Sequence, residues 1–214
     1  MNKHKAYNLI VLDESGSMES IKRATISGFN EVVQTIKEVE KQFPDQEHFV
    51  TLITFNGGGI KTLLDKERVT LLSEIDERKY QPNASTPLYD ALGFGINSLN
   101  NYLQDKTEYN VLVTVLTDGE ENASREFNRS QISKIITDLK EKGWTFTYMG
   151  ANQDVEAVAG ALSIENSMAF EANDQDMKRM FDKEKGSRIA YYQKLQNKED
   201  VRSGYFDDED KKKS

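Results

Sequence analysis

Apolar positions along this chain follow two rhythms that alternate from the amino end onward. Tyr7-Asn8-Leu9-Ile10-Val11-Leu12 is a nearly unbroken apolar run, too short for a helix, and predicts a strand buried on both faces. Over 19–42 the spacing becomes helical, with Ile21, Ile26, Phe29, Val32, Val33, Ile36 and Val39 on one side. Phe43-Pro44-Asp45 ends that helix, because proline cannot continue the hydrogen-bond ladder. Residues 48–55 are β-branched and aromatic and predict a second strand. Asn56-Gly57 and two further glycines predict a hairpin, with 60–64 returning antiparallel as an edge strand. These glycines do not form a phosphate loop, since its Gly-Lys-Ser/Thr continuation is missing, with Ile60 between Gly59 and Lys61, and the flanking pattern is strand-turn-strand.

The mixed polar stretch 66–79 predicts a short helix around 69–76. Pro87 suits the first turn of a helix running to about residue 103. Residues 109–117 are the most β-prone in the chain and predict a central strand, followed by a helix over 128–142. A fifth strand over 144–149, a helix through Val155, Val158 and Leu162, and a weak sixth strand over 167–171 complete the alternation. Residues 174–196 read as helical with a break near Gly186, and the charged run 197–214 as a disordered tail. The chain thus divides into a domain over 1–172, a helical extension over 173–196 and a tail over 197–214. Strands alternating with helices imply an α/β domain, its sheet mostly parallel and covered by helices on both faces.

Composition narrows the chemistry. A net charge of −8 and a pI near 5.0 argue against nucleic acid or an anionic membrane as the main partner. The absence of cysteine removes disulfides, a thiolate nucleophile and the usual zinc sites. His4 and His48, far apart in sequence, make neither a triad nor a zinc site. No apolar run approaches the roughly 20 residues of a membrane span, and the amino end lacks the pattern of a signal peptide, so a cytoplasmic protein is expected.

Against that background, Asp13-Glu14-Ser15-Gly16-Ser17 stands out at the end of the first strand, where α/β proteins place ligand sites. One carboxylate and two hydroxyls on a short loop suit a hard divalent cation. Ser17 equally suits a helix cap. Thr86, just before a helix, has the same two readings, cap or ligand. Asp118 ends the central strand in Leu116-Thr117-Asp118-Gly119. Five oxygens from Asp13, Ser15, Ser17, Thr86 and Asp118 would suit Mg²⁺, which takes six, leaving one position for water or a partner. Glu14, Glu120 and Glu121 flank this set, either as solvated loop charge or as a rim that discourages acidic partners.

These motifs resemble the von Willebrand factor A domain family over roughly residues 7–171. Asp13, Ser15 and Ser17 match its DxSxS element, Thr86 the threonine of its second loop, and Asp118 the aspartate of its third. The resemblance implies a Rossmann-like, six-stranded sheet in order 3-2-1-4-5-6 and a metal-ion-dependent adhesion site holding Mg²⁺ or Mn²⁺. It also implies a protein partner whose Glu or Asp completes the metal shell. Cytoplasmic bacterial members often serve as scaffolds in stress-response systems, including tellurite resistance, or beside AAA+ ATPases. A non-enzymatic binding module is therefore expected. One rival is a haloacid-dehalogenase-type phosphohydrolase using Asp13, which would need a carboxylate where Ser15 stands. The other is a metal-free scaffold.

Overall fold

The computed structural model describes residues 3–207. Strand β1 (His4–Asp13) is buried from Ala6 to Asp13, as a strand with neighbours on both edges and both faces must be. It pairs in parallel with β2 (Gln46–Asn56) on one side and β4 (Tyr109–Thr117) on the other. The chain turns from β2 into the antiparallel edge strand β3 (Gly59–Arg68), while β5 (Thr145–Gly150) and β6 (Asn166–Ala169) extend the sheet beyond β4. The strand order is β3-β2-β1-β4-β5-β6, as the family resemblance implies. Strand order reverses between β1 and β4, so the loops leaving Asp13 and Thr117 open onto one crevice.

Among the described residues five α-helices cover the sheet: α1 (Lys22–Gln42), α2 (Leu88–Leu103), α3 (Arg129–Glu141), α4 (Val155–Ala161) and α5 (Asp174–Gln196). Alternation along β1 divides the core. Leu9 and Val11 pack with Leu92, Ile96, Ile132 and Ile136 of α2 and α3. Ile10 and Leu12 pack on the other face with Phe29, Val33 and Ile36 of α1 and with Met177, Met180 and Phe181 of α5. Each such side chain contributes about 1.5–3 kcal/mol on burial. At the α1–α5 crossing the Phe181 ring lies on Gly28, where an added Cβ would fall 1.9 Å from it.

Three expectations need correction. Residues 69–76 make only a 3-10 turn, Val69–Leu71, because Leu72 and Ile75 leave it to bury separately against α1. Helix α5 runs unbroken through Gly186; one helical glycine costs about 1 kcal/mol, and Glu184 and Arg188 on either side are wholly buried. The polar composition after 196 concealed two anchors. Val201 and Tyr205 are buried with Tyr191 and Tyr192 of α5, and Tyr205 donates its N–H to Asn166 Oδ1 at 3.0 Å. Residues 197–207 therefore strap α5 to the β6 edge, while 208–214 lie outside the described residues.

His48 on β2 is buried edge-on against Tyr192, its ring nitrogens unbonded. Burial, with the charges of Arg188 and His4, pushes it down to about 3. It stays neutral in the folded chain and takes up a proton below pH 6.5 only on unfolding. Its contribution is thus full above 6.5 and is lost at about 1.4 kcal/mol per pH unit as pH falls toward 3. Between pH 7 and 5, urea unfolding of the parent is expected to lose about 2 kcal/mol more than that of His48→Phe. Equal losses would show that His48 already takes its proton in the folded state.

Candidate metal centre

The five oxygen-bearing residues singled out in the sequence come together at the switch point. Asp13, at the end of β1, is fully buried. Its Oδ1 accepts the Ser15 N–H at 2.7 Å and its Oδ2 the Thr117 hydroxyl at 2.5 Å. Ser15 and Ser17 place their hydroxyls 3.2 Å apart, and Ser17 donates to Asp118 Oδ1 at 2.6 Å. Ser17 thus uses its hydroxyl on the third loop, and no side-chain bond caps the 3-10 turn Gly16–Ile21 that leads into α1. Thr86 is buried and caps nothing with its hydroxyl either; its N–H is held by Asn122 Oδ1 at 2.9 Å.

One point in space measures the convergence. A Cβ built on Gly119 would lie 3.3 Å from Thr86 Oγ1, 3.5 Å from Ser17 Oγ and 3.9 Å from Ser15 Oγ. Three hydroxyls from two loops therefore surround a spot that glycine leaves open beside Asp118. Asp118 Oδ2 is buried and has no hydrogen-bond partner, an arrangement that costs free energy unless something else occupies it. Burial pushes the Asp13 carboxyl up to about 6 against its bonds from Thr117 and Ser15, and the nearby Asp118 charge adds to the rise. Burial likewise raises Asp118, against its bond from Ser17. Two desolvated carboxylates, three hydroxyls and an unsatisfied oxygen fit a hard divalent cation. Among the described residues no group of three or more His, Cys, Asp and Glu side chains offers another metal site.

Several residues that build this centre had no sequence signal pointing to them. The Tyr80 hydroxyl donates to the Asp13 carbonyl at 2.5 Å across sixty-seven positions. Thr117 was legible only in part: Leu12 pairs with Leu116, which puts Thr117 beside Asp13 once the register is known. The flanking glutamates divide by role. Glu121 caps α2 from outside, accepting Tyr89 N–H at 2.9 Å together with the N–H groups of Ala123 and Ser124. Asp90, in the first turn of α2, answers by accepting the N–H groups of Arg125, Glu126 and Phe127. Glu14 is buried, and only Glu120 of the three is a solvated charge.

Fold and site together define a class: a doubly wound α/β domain with an oxygen-lined centre at its switch point. The profile of the von Willebrand factor type A domain matches residues 9–189, and the chain belongs to that family. Solved structures share the fold. The pilus adhesin SpaC from Lactobacillus rhamnosus GG superposes with a TM-score of 0.63 at 15% identity, over 90% of this chain and 31% of that one. The vWF domain of the type V pili tip protein Mfa5 from Porphyromonas gingivalis gives 0.54 at 10% identity, over 84% and 95%. Proximal thread matrix protein 1 from the mussel byssus gives 0.54 at 11% identity, over 88% of this chain and 47% of its own length. This chain thus spans less than half of the mussel protein and of SpaC, and at these identities the likeness shows the fold alone. Comparison with curated proteins gives no match. Domains of this family commonly mediate protein–protein interaction. No helix among the described residues is long and apolar enough to cross a membrane.

Proposed function

We propose that this chain is a non-enzymatic protein-binding module whose docking depends on a Mg²⁺ or Mn²⁺ ion held by Asp13, Ser15, Ser17, Thr86 and Asp118. The observation that carries this reading is the unpartnered, buried Asp118 Oδ2 beside three converging hydroxyls. The hydrogen bonds to Asp13 and Asp118 come from neutral donors, Ser15, Thr117 and Ser17, so the paired negative charge calls for a cation. Such an ion would supply a Lewis-acidic point that attracts an incoming carboxylate. Ser17 is exposed, which leaves the centre open to a partner's Glu or Asp. Both Asp13 oxygens are tied inward by hydrogen bonds, so the side chain is not presented as a nucleophile. The finer assignment, to a cytoplasmic bacterial stress-response or ATPase-associated complex, rests on the sequence resemblance and the cysteine-free composition.

Calorimetric titration of the EDTA-stripped protein with Mn²⁺ and Mg²⁺ tests the reading. Saturable one-site binding is expected, together with a partner captured in Mg²⁺ and released by EDTA. No binding of either ion at millimolar concentration, with acetate present as a carboxylate, would refute it. Mg²⁺-dependent turnover of p-nitrophenyl phosphate that disappears in Asp13→Asn would establish a phosphohydrolase instead.

A further inference from the structure

The three loops of the centre are not self-supporting. The second loop, which delivers Thr86, has no regular structure from 81 to 86, and Ala84 sits at a left-handed φ of 62°. It is gripped from two sides. On one side stands Glu14, which is 1% exposed although it is a carboxylate. Its carbonyl accepts Asn83 N–H at 2.8 Å and its Oε1 accepts Gln81 N–H at 2.6 Å. Its own N–H reaches Phe55 at the end of β2. Gly16 adds a bond from its N–H to the Ala84 carbonyl at 2.9 Å.

On the other side stands the β2–β3 hairpin. Lys61 of β3 closes on Glu14 Oε2 at 3.3 Å, from a half-exposed position. At the hairpin tip, a Cβ on Gly57 would lie 2.4 Å from Ser85 Oγ, 2.9 Å from Ser85 N and 3.1 Å from the Ala84 Cβ. Rotating the serine side chain would relieve the first contact. The backbone nitrogen cannot move without carrying Thr86, the next residue, with it.

We propose that the β2–β3 hairpin is a fourth element of the centre, with Gly57, Lys61 and Glu14 as positioning residues that fix where the Thr86 hydroxyl stands. This rests on the cation reading given above. The Asp-x-Ser-x-Ser loop and the hairpin hold the 81–86 segment between them, so disturbing the hairpin displaces one ligand while the other four stay in place. Lys61 gives the proposal a sign of its own. A lysine near a cation site repels the ion, so on charge alone its removal tightens binding. If its role is to steady Glu14, removal leaves a buried carboxylate without its counter-ion and weakens binding.

Mn²⁺ affinity, read by calorimetry, is the test. Lys61→Met is expected to bind about threefold more weakly and Gly57→Ala about tenfold more weakly, while Gly58→Ala, whose Cβ meets only the Asn56 side chain, matches the parent. In EDTA, amide exchange over 81–86 should rise in the first two variants and stay unchanged in α3, which separates local loosening from general destabilisation. Tighter or unchanged binding in Lys61→Met together with parental binding in Gly57→Ala would overturn the proposal alone. A parent that binds no ion would remove the cation reading, and this proposal with it.

Discussion

Asp118→Asn is expected to abolish stabilisation by Mg²⁺ or Mn²⁺ and at the same time to make the cation-free protein more stable. Both effects come from one atom. Asp118 Oδ2 is buried without a partner, near the desolvated carboxylate of Asp13. In the absence of an ion, the folded chain carries the cost of an uncompensated negative charge. An amide of the same shape removes the charge and keeps an acceptor for Ser17, which reaches Oδ1 at 2.6 Å. A gain of about 1–2 kcal/mol in EDTA follows, the size of an unmet buried polar group. With ion at a hundredfold excess over its Kd, the parent gains about 2.7 kcal/mol by mass action and the variant gains nothing. For a chain of this size, thermal unfolding should show the difference as roughly 5–10 °C of cation-dependent shift. The order of stabilities therefore inverts between EDTA and millimolar Mn²⁺. If the variant kept the full cation shift, Asp118 would not be a ligand. If it were less stable than the parent in EDTA, the orphan oxygen would have a partner in solution.

How much of this was readable beforehand depended on whether the signal was local. The strands announced themselves because central parallel strands are buried on both faces, and Leu9 to Leu12 could hardly be anything else. The Asp-x-Ser-x-Ser loop and Thr117-Asp118-Gly119 were legible because strand ends are where such sheets put chemistry. What stayed hidden was pairing across long separations. Tyr80, Glu14 and Glu121 look like ordinary loop residues until the fold brings Asp13, Gln81 and Tyr89 to them. The 197–207 strap was misread for a related reason. Its charge dominates any window average, and two buried side chains, Val201 and Tyr205, decide its position. Asn8 carries a further signal: a polar residue inside an apolar central strand needs a partner, and that partner lies 180 positions away.

The partner is Arg188, and its loss is expected to be the most destabilising single change in the helical extension. Arg188 and Glu184, one turn apart on α5, are both 0% exposed beneath the sheet. The guanidinium donates to Asn8 Oδ1 at 2.7 Å, to Thr114 Oγ1 at 3.0 Å and to Glu184 Oε1 at 2.7 Å, so it joins α5 to the two central strands. Tyr192 shares Asn8 at 2.5 Å, and Tyr205 of the strap donates to Glu184 at 3.0 Å. Arginine cannot shed its proton to escape burial, so the cost of desolvation is met only by this complete set of acceptors. Arg188→Met fills similar volume but leaves the Glu184 carboxylate with a single phenol for company, its Oε2 already bare. About 3–5 kcal/mol should be lost in urea unfolding, a large share of the 5–15 kcal/mol typical of a domain. The informative control is Arg188→Met with Glu184→Leu, which removes both charges and should recover most of the loss, since a buried ion pair and a packed apolar pair are nearly equivalent. Tyr205→Phe should cost only about 1 kcal/mol, one hydrogen bond. Recovery in the double variant would show that the pair specifies where α5 docks rather than supplying the energy that holds it there. A double variant as unstable as the single one would place the energy in the guanidinium's bonds to Asn8 and Thr114, of which Asn8 keeps Tyr192 as a donor and Thr114 loses its own.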